Sequence, residues 1–254
     1  MLKVIFLGTG TSQGIPVISS TNPVCFSSDK KDKRLRVSIA IEWDNYRYII
    51  DCGPDFRYQM LRENINFIDG ILFTHEHADH SAGMDDIRPF SFRLGGVPIY
   101  ASKRVIENFY KRFDYIFNDQ NKYPGAPTVF INEVTNNPFL LKNLQVIPIE
   151  VNHADIQCFG YRFNDFAYLT DVKTISASEK MKLKGLKVLV LNALREKHHF
   201  SHLNIQEAIE LIKELKPQKT YFTHISMDMG FHEEAQKKLP KNVFLAYDGL
   251  QLTI

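Results

Sequence analysis

The chain has 254 residues, of which 44% are hydrophobic and 24% are charged, with 31 basic side chains against 29 acidic ones. A formal net charge of +2 gives no argument for binding duplex nucleic acid or an anionic membrane surface. No apolar run approaches the roughly 18 residues of a membrane-spanning helix, and the three cysteines at unrelated spacings do not predict a disulfide framework. We therefore expect a cytoplasmic protein with no membrane partner, folded as one domain over residues 1–254.

Hydrophobic periodicity predicts short strands in the first half of the chain, separated by Gly, Pro or charged clusters. The first three, expected to form an antiparallel meander, cover 3–7, 37–43 and 46–51. Helices are predicted at 56–63 and 105–113, and further strands at 70–73, 128–132 and 144–152. The region 89–143 is the least regular part of the chain.

The second half alternates strands and helices more regularly. The predicted strands cover 159–163, 166–170, 186–191, 220–223, 243–247 and 250–254, and the predicted helices 177–183, 205–215 and 232–239. Two helices begin with a capping-box pattern, Ser176 with Glu179 and Asn204 with Glu207. Strands followed by helices in both halves favour two sheets covered by helices.

Four metal-competent side chains follow the predicted strand 70–73 within six residues: His75, His77, Asp79 and His80. A lone histidine is more often a surface or hydrogen-bonded residue, but this density of ligands is typical of a metal site. Where a strand opens into a loop, the backbone can turn imidazoles and a carboxylate toward one ion. Because a continuous strand or helix does not suit this spacing, we predict a loop for the whole segment.

The same pattern, a ligand just past an apolar run, recurs three more times. The additional residues are His153, Asp171 and His224. If neighbouring strands end at a common edge, all seven side chains meet there. Five imidazoles and two carboxylates exceed one tetrahedral site, but they suit two metal ions that share a bridging carboxylate and a bridging hydroxide.

With these residues the sequence resembles the metallo-β-lactamase superfamily of hydrolases. In that family, His-x-His and a later His form one metal site, Asp-His and a last His form the other, and an intermediate Asp bridges them. The resemblance covers nearly the whole chain and implies an α/β fold, an αββα four-layer sandwich, with two divalent ions, Zn or Mn. It implies one ion on His75, His77 and His153, a second on Asp79, His80 and His224, and Asp171 on both.

Finer features are similar to the phosphodiesterase branch of that superfamily. The opening Phe-Leu-Gly-Thr-Gly at 6–10, and His202 placed 22 residues before the last ligand, resemble transfer-RNA 3′-processing endonucleases and cyclic phosphodiesterases. The segments 14–17, 32–36 and 80–89 are most similar to phosphoribosyl cyclic phosphodiesterases of the carbon-phosphorus lyase pathway. The resemblance implies that His202 is the general acid or leaving-group stabiliser, a role that suits imidazole near neutral pH. His198 and His199 lie in the same loop and remain alternatives.

One departure separates this chain from that group of phosphodiesterases. Its members carry a further structural zinc, held by three cysteines of the N-terminal loop and by a histidine three residues after the last active-site histidine. Here the corresponding loop, 20–25, holds only Cys25, and Met227 stands in the place of the histidine. We predict no third metal, and the departure leaves the natural substrate open.

Several weaker signals have both a functional and a structural interpretation. The loop from Gly8 to Gly14 offers backbone amides to a phosphate or simply turns tightly. Arg34 and Arg36 lie in a basic run that is either a solvated face or a phosphate contact. Asp51 either orients a ligand histidine or forms a turn. Aromatic residues at helical spacing predict either core or a homodimer contact: Phe109, Tyr110, Phe113, Tyr115 and Phe117.

The sequence thus predicts a metal-dependent hydrolase of small phosphodiesters, in particular cyclic ones similar to phosphoribosyl cyclic phosphates. Two divalent ions would activate a hydroxide that Asp79 orients, while His202 assists the leaving group. One alternative is a nuclease acting on RNA 3′ ends, for which the near-neutral charge gives little support. Another is a metal-binding sensor without turnover. A thiolester or β-lactam hydrolase is disfavoured because those branches generally lack an equivalent of His202.

Overall fold

The computed structural model describes all 254 residues, Met1–Ile254, and its strands form two sheets of seven strands each. The first sheet contains β1 (Lys3–Gly8), β2 (Ser38–Trp43), β3 (Tyr46–Ile50), β4 (Gly70–Leu72), β5 (Val97–Ala101), β6 (Val129–Glu133) and β14 (Gln251–Thr253). The second sheet contains β7 (Phe139–Leu141), β8 (Leu144–His153), β9 (Ile156–Phe163), β10 (Phe166–Leu169), β11 (Val188–Asn192), β12 (Lys219–Thr223) and β13 (Val243–Leu245).

The helices are short, and none combines the length and the apolar character that crossing a membrane requires. They are α1 (Phe56–Arg62), α2 (Ala78–Ser81), α3 (Arg88–Leu94), α4 (Lys103–Arg112), α5 (Asp114–Phe117), α6 (Ala177–Met181), α7 (Ile205–Leu215) and α8 (His232–Lys237). Single 3-10 turns lie at Pro23–Phe26, Lys30–Asp32, Met84–Ile87 and Met227–Met229.

Three apolar clusters show that these elements form four layers. The central cluster lies between the two sheets and joins Phe6 and Ile39 of the first to Phe163 and Tyr168 of the second. A second cluster packs the first sheet against α1, α3, α4 and α5. A third packs the second sheet against α7 and α8. The predicted αββα sandwich is therefore confirmed, because each sheet buries one face on the other sheet and one face on helices.

Strand direction brings several strand ends to one edge of the sandwich. In the first sheet, β3 to β6 are parallel neighbours beside the predicted antiparallel meander of β1, β2 and β3. In the second sheet, β10 to β13 are parallel, and β8 runs the same way because β9 is antiparallel to both β8 and β10. The Tyr161 hydroxyl donates to the carbonyl of Phe73 at 2.7 Å and joins the two sheets at this edge.

The region 89–143 is more regular than its sequence predicts. Besides the predicted strand and helix, which appear as β6 and α4, it supplies β5 to the first sheet, β7 to the second sheet and α5 to the helices that cover the first. Pro98 lies inside β5, and a proline within an apolar run argues against a strand when only the sequence is read. Four of the five clustered aromatic residues pack into or against the core, whereas Tyr110 is 46% exposed. Core packing therefore explains most of this cluster, and the homodimer stays a prediction.

The two predicted capping boxes differ. At α7, the Asn204 side chain accepts from the Glu207 amide at 2.8 Å, and the Glu207 carboxylate accepts from the Asn204 amide at 2.9 Å. At α6, Ser176 caps the Glu179 amide, but the Glu179 carboxylate accepts from the amide of Glu150 instead. A tertiary contact to β8 thus replaces the reciprocal capping bond.

Arg34 lies in the interior and not on the surface of the basic run. Its guanidinium donates to Thr9 Oγ1 at 2.7 Å, to the Ala246 carbonyl at 2.6 Å and to His232 Nδ1 at 3.0 Å. Only 3% of this residue is exposed, so the interpretation of Arg34 as a phosphate contact is wrong. The guanidinium instead ties the loop after β1 to the C-terminal part of the chain.

The change His232→Asn keeps a side-chain acceptor for Arg34 but removes the titrating ring. Burial and the Arg34 cation lower the pKa of His232 from 6.5 to about 4. Between these values the unfolded chain binds more protons than the folded one, so the free energy of unfolding falls as the solution is acidified. We expect the variant to lose less stability than the wild type from about pH 7 to about pH 5, measured by urea denaturation.

The matched control is His198→Asn, because the His198 side chain is 70% exposed. It should follow the wild-type pH dependence. Burial raises the pKa of Asp248 to about 6, which opposes the trend equally in all three proteins and cancels in the comparison. Equal losses of stability in His232→Asn and in the wild type would contradict this assignment.

Candidate metal centre

The structure brings all seven predicted ligands together at the edge where the strand ends meet. Their ligand atoms fall into overlapping groups whose members lie within 4.8 Å of one another: His75 with His77 and His153, His75 with His80 and Asp171, Asp79 with His80 and His224, and His153 with Asp171 and His202. The first and third groups coincide with the two predicted metal sites. Asp171 belongs to groups on both sides, which is the position that a bridging carboxylate needs.

Asp171 is the centre of this arrangement. Its Oδ2 lies 3.2 Å from His80 Nε2, and its Oδ1 lies 3.3 Å from His224 Nε2 and 4.0 Å from His153 Nε2. Asp79 completes the second group, with its Oδ2 at 3.3 Å from His80 Nε2 and 3.6 Å from His224 Nε2. The carboxylates therefore face the same ring nitrogens that would face a metal ion.

Local backbone geometry turns these side chains inward at the strand ends. Asp51, Asp171 and His224 all have positive φ, at 66°, 57° and 56°. Each follows an extended strand, and the left-handed residue redirects the chain at that point. Non-glycine residues adopt this conformation at a cost and concentrate at functional sites. This turn was not visible in the sequence.

Asp51 orients two of the predicted ligands. Its carboxylate accepts from His80 Nδ1 at 2.7 Å and from the Thr74 hydroxyl at 2.8 Å. Because that hydroxyl proton goes to Asp51, Thr74 Oγ1 accepts from His75 Nδ1 at 3.0 Å. Both rings therefore carry their proton on Nδ1 and present Nε2 to the cluster. The structure supports both interpretations of Asp51, because the residue turns the chain with a positive φ and its carboxylate orients His80.

His153 is fixed in the same manner by a backbone carbonyl. Its Nδ1 donates to the Ser201 carbonyl at 2.9 Å, which leaves Nε2 facing Asp171. Buried ring nitrogens without any hydrogen-bond partner include His75 Nε2, His80 Nε2 and both nitrogens of His224. Buried polar atoms are rarely left unpaired, and lone pairs of imidazole are good ligands for divalent transition metals. The donor set thus fits the metal ions that the resemblance implies.

Charge shapes the protonation of this cluster. Burial raises the pKa of Asp79, but His80 and His224 outweigh it and hold that pKa below its usual range. Burial and His80 lower the pKa of His75 well below its ordinary value. Burial also lowers the pKa of His80, but Asp171, Asp79 and Asp51 outweigh it and raise that pKa well above its usual value. A cation bound here would replace the proton on His80 as the partner of the carboxylates.

The histidine-rich segment is not a loop throughout, contrary to its sequence-based prediction. Ala78–Ser81 forms the one-turn helix α2, which carries Asp79 and His80. The backbone of Cys52 and Gly53 packs directly on it, since the Cys52 amide donates to the His80 carbonyl at 2.8 Å. A Cβ at Gly53 would collide with the carbonyl of Asp79, so only glycine allows this approach. The single turn of α2 therefore places Asp79 and His80 beside His224, in one group of potential ligands.

The remaining predicted contacts have mixed outcomes. Gly10 forms β-bridges with Arg36 and with Ile225. The loop from Gly8 to Gly14 therefore fixes the backbone of the residue that follows His224. Arg36 is half-buried and pairs with Asp55 at 3.0 Å. Contact of Arg36 or of this loop with substrate stays a prediction.

The loop that lacks two of the family's zinc cysteines is closed by other contacts. Cys25 Sγ lies 3.9 Å from Met227 Sδ, and the Ser20 hydroxyl lies 3.1 Å from the same sulfur. Ile15 and Val24 complete a small apolar cluster around them. These contacts close the loop at 20–25, and the expectation that no third metal binds there stays a prediction.

Asn192 is a positioning residue that the sequence analysis missed. Fully buried at the end of β11, its side chain accepts from the Val172 amide at 2.7 Å and donates to the Val172 carbonyl at 3.0 Å. This pair of bonds fixes the peptide that follows the left-handed Asp171. Asn192 also follows an apolar run, as the ligands do, and that signal could have identified it.

The change Asn192→Ala should leave the buried amide and carbonyl of Val172 without partners. Each orphaned group costs about 1–3 kcal/mol, so we expect a loss of roughly 2–4 kcal/mol in the free energy of unfolding. Asn132→Ala is the matched control, because exposed Asn132 also donates to backbone carbonyls, those of Ile99 and Phe130. The control should lose less than about 0.5 kcal/mol in denaturant unfolding. Equal losses in the two variants would refute the role of Asn192.

Residues 46–225 match the family described as the beta-lactamase superfamily domain. The chain is 38% identical to an octanoyltransferase from Porphyromonas gingivalis over 256 residues, which cover 100% of this chain and 52% of that protein. It is 28% identical over 98 residues to ribonuclease Z from Pyrobaculum neutrophilum, covering 38% of this chain and 29% of that protein. The chain spans about half the length, or less, of these curated relatives.

Solved structures give the same result. A diphosphatase of the PhnP family superimposes with a TM-score of 0.93 at 40% identity, covering 100% of this chain and 98% of that one. Zn²⁺-bound PqqB from Methylobacterium extorquens has a TM-score of 0.80 at 16% identity, covering 99% and 100%. Human tRNase Z, short form, has a TM-score of 0.71 at 19% identity, covering 99% of both chains, and these last two show the shared fold. The chain belongs to the metallo-β-lactamase fold superfamily.

Proposed function

We propose that this protein is a metal-dependent hydrolase that cleaves small phosphodiesters, including cyclic ones, as a single domain. One observation carries the proposal: seven metal-competent side chains from both sheets converge on one buried edge, with several ring nitrogens unpaired. The similarity to a PhnP-family diphosphatase over the whole chain, and to ribonuclease Z over part of it, supports phosphate-ester chemistry.

In this proposal one divalent ion would be held by His75, His77 and His153 and a second by Asp79, His80 and His224, and Asp171 would be shared between the two groups. Zn²⁺ or Mn²⁺ would supply a nucleophilic hydroxide at neutral pH and charge stabilisation for the phosphoryl oxygens. In the net reaction, water adds to phosphorus, one phosphorus–oxygen bond breaks, and a proton ends on the departing alcohol. Asp79 would orient the attacking water, because its ionised carboxylate accepts hydrogen bonds and is only partly buried.

His202 is placed to stabilise the leaving group. Its Nδ1 lies 3.7 Å from Asp171 Oδ1 and has no hydrogen-bond partner, and its ring centroid lies 4.7 Å from that of His224. Burial and His224 lower the pKa of His202 to about 3, so the substrate-free ring is neutral at pH 7. An imidazolium at position 202 is therefore disfavoured before substrate binds. We propose that the anionic substrate raises this pKa on binding and that His202 donates its proton to the departing oxygen.

Acyl transfer, the activity in the name of one relative, finds little support in this chain. Such reactions commonly use an activated nucleophile such as a thiolate. All three cysteines are buried, and burial raises the pKa of Cys52 and of Cys158. That relative also has about as much chain again outside the matched part. A nuclease for RNA 3′ ends and a metal-binding sensor remain the alternatives that an activity screen separates.

The change His77→Ala should remove one ring from the first ligand group. We expect wild-type protein to bind about two equivalents of Zn²⁺ or Mn²⁺ and to hydrolyse bis(p-nitrophenyl) phosphate. The variant should lose metal, measured by mass spectrometry of the elements, and its hydrolysis should fall to the uncatalysed rate. Chelator should abolish wild-type activity, and added metal should restore it.

His198→Ala is the control for metal content, because the exposed His198 lies outside every ligand group. It should keep both equivalents. Full activity of His77→Ala, or wild-type activity that persists in chelator, would refute the mechanism. Metal binding without hydrolysis of any cyclic or linear phosphodiester would favour the sensor.

The change His202→Ala separates a proton donor from a ligand. His202 shares one group with His153 and Asp171, so both roles are geometrically open. We expect kcat to fall by about 10²-fold or more while the metal content stays at the wild-type value. The loss should be smaller for substrates with a more acidic leaving alcohol, which needs less protonation. Loss of a metal equivalent in this variant would make His202 a ligand instead.

A further inference from the structure

An exposed aromatic ring lies beside the metal centre. Phe200 is 73% exposed, although a phenylalanine gains free energy by burial. Its ring stacks on His199 at a centroid distance of 4.9 Å and an interplanar angle of 29°. His199 in turn lies 5.1 Å from His202, at 38°. The rings of Phe200, His199 and His202 therefore form a series that leads from solvent to the catalytic edge.

The loop that carries these rings is fastened at its base. The Leu194 amide donates to the Leu203 carbonyl at 3.0 Å, and the Ile205 amide donates to the Arg195 carbonyl at 3.0 Å. The Arg195 guanidinium also reaches back to the His198 carbonyl at 3.3 Å. Phe200 is thus exposed to solvent on a loop whose backbone is held by hydrogen bonds.

His199 is held as a flat neighbour of Phe200. Its Nδ1 accepts from the amide and the hydroxyl of Ser201, at 3.3 Å and 3.2 Å. With Nδ1 as the acceptor, the proton lies on Nε2, which remains a donor for a ligand. Burial and Arg195 lower the pKa of His199, which keeps the ring neutral near pH 7. A neutral ring stacks on an aromatic base without the cost of desolvating a charge.

We propose that Phe200 and His199 form a stacking surface for a nucleobase, so that the substrate is a phosphodiester or diphosphate that carries a nucleoside. This inference rests on the proposed function and names its substrate class. The base would lie on the rings of Phe200 and His199, while the phosphate would reach past His202 to the metal centre. Base stacking on aromatic side chains is tolerant of base identity, and its loss typically weakens binding about tenfold.

Phe200→Leu tests the stacking surface without requiring turnover. The variant keeps an apolar side chain but removes the flat face. Calorimetry on the Zn²⁺-loaded protein should show that adenosine 5′-monophosphate binds more tightly than ribose 5-phosphate. In Phe200→Leu the nucleotide should bind about tenfold more weakly, with the sugar phosphate unchanged, and Phe200→Trp should retain nucleotide binding. Phe92→Leu is the matched control, because Phe92 is 65% exposed on α3, in the layer of helices outside the first sheet, and should change neither affinity.

Kinetics provide a second measure. For adenosine 2′,3′-cyclic phosphate, Phe200→Leu should raise KM about tenfold and leave kcat unchanged, whereas glycerol 1,2-cyclic phosphate should show no change in either. Equal effects on both substrates, an unchanged nucleotide affinity, or wild-type protein that does not prefer the nucleotide would overturn the stacking surface. If the nucleotide preference depends on Phe200 but no phosphodiester is hydrolysed, the stacking surface stands and the proposed hydrolase fails.

Discussion

The structure depends on one electrostatic constraint, the burial of the Asp51 and Asp171 carboxylates among several imidazoles where the two sheets meet. Asp171 is 2% exposed and lies within 4.0 Å of ring nitrogens of His80, His153 and His224. Buried carboxylates require positive partners, either protonated rings or bound cations. The surrounding hydrogen bonds occupy Nδ1 of His80 and His153 and leave Nε2 to face the centre, where a proton or a metal cation would bind. The site is thus organised before any ligand arrives.

The fold satisfies this constraint by bringing strand ends from two sheets to one edge and turning them there. Left-handed residues at Asp51, Asp171 and His224 carry the local conformational cost, and buried side chains such as Asn192 hold the turned peptides. The central apolar cluster fixes the position of one sheet against the other. It thereby fixes the candidate ligands that follow strands of the first sheet relative to those that follow strands of the second. Any change that loosens the packing between sheets would therefore move one ligand set against the other, even at a distance from the centre.

In the proposed function, the metal centre and the substrate are specified by different parts of the chain. The predicted ligands lie at strand ends and on one helical turn, within a fold that a PhnP-family diphosphatase and tRNase Z share. The loop from 195 to 203 is the part that approaches the centre from solvent, with Phe200 and His199 at its tip. In the proposed function, the metal centre would define the bond that is hydrolysed, whereas this loop is where selectivity among phosphate esters would arise.

The sequence by itself predicted two sheets covered by helices and the set of candidate ligands, because apolar periodicity and a ligand just past each apolar run are local properties. The four-layer arrangement was implied by the resemblance to the metallo-β-lactamase superfamily. The sequence did not determine the fate of Arg34, whose partners His232 and Ala246 lie about two hundred residues away. It left open whether Asp51 orients a ligand histidine or forms a turn, and it did not reveal that Glu179 leaves its capping box for Glu150. These outcomes depend on which groups become neighbours after folding, and only the tertiary structure decides that, since competing local and long-range partners have similar energies.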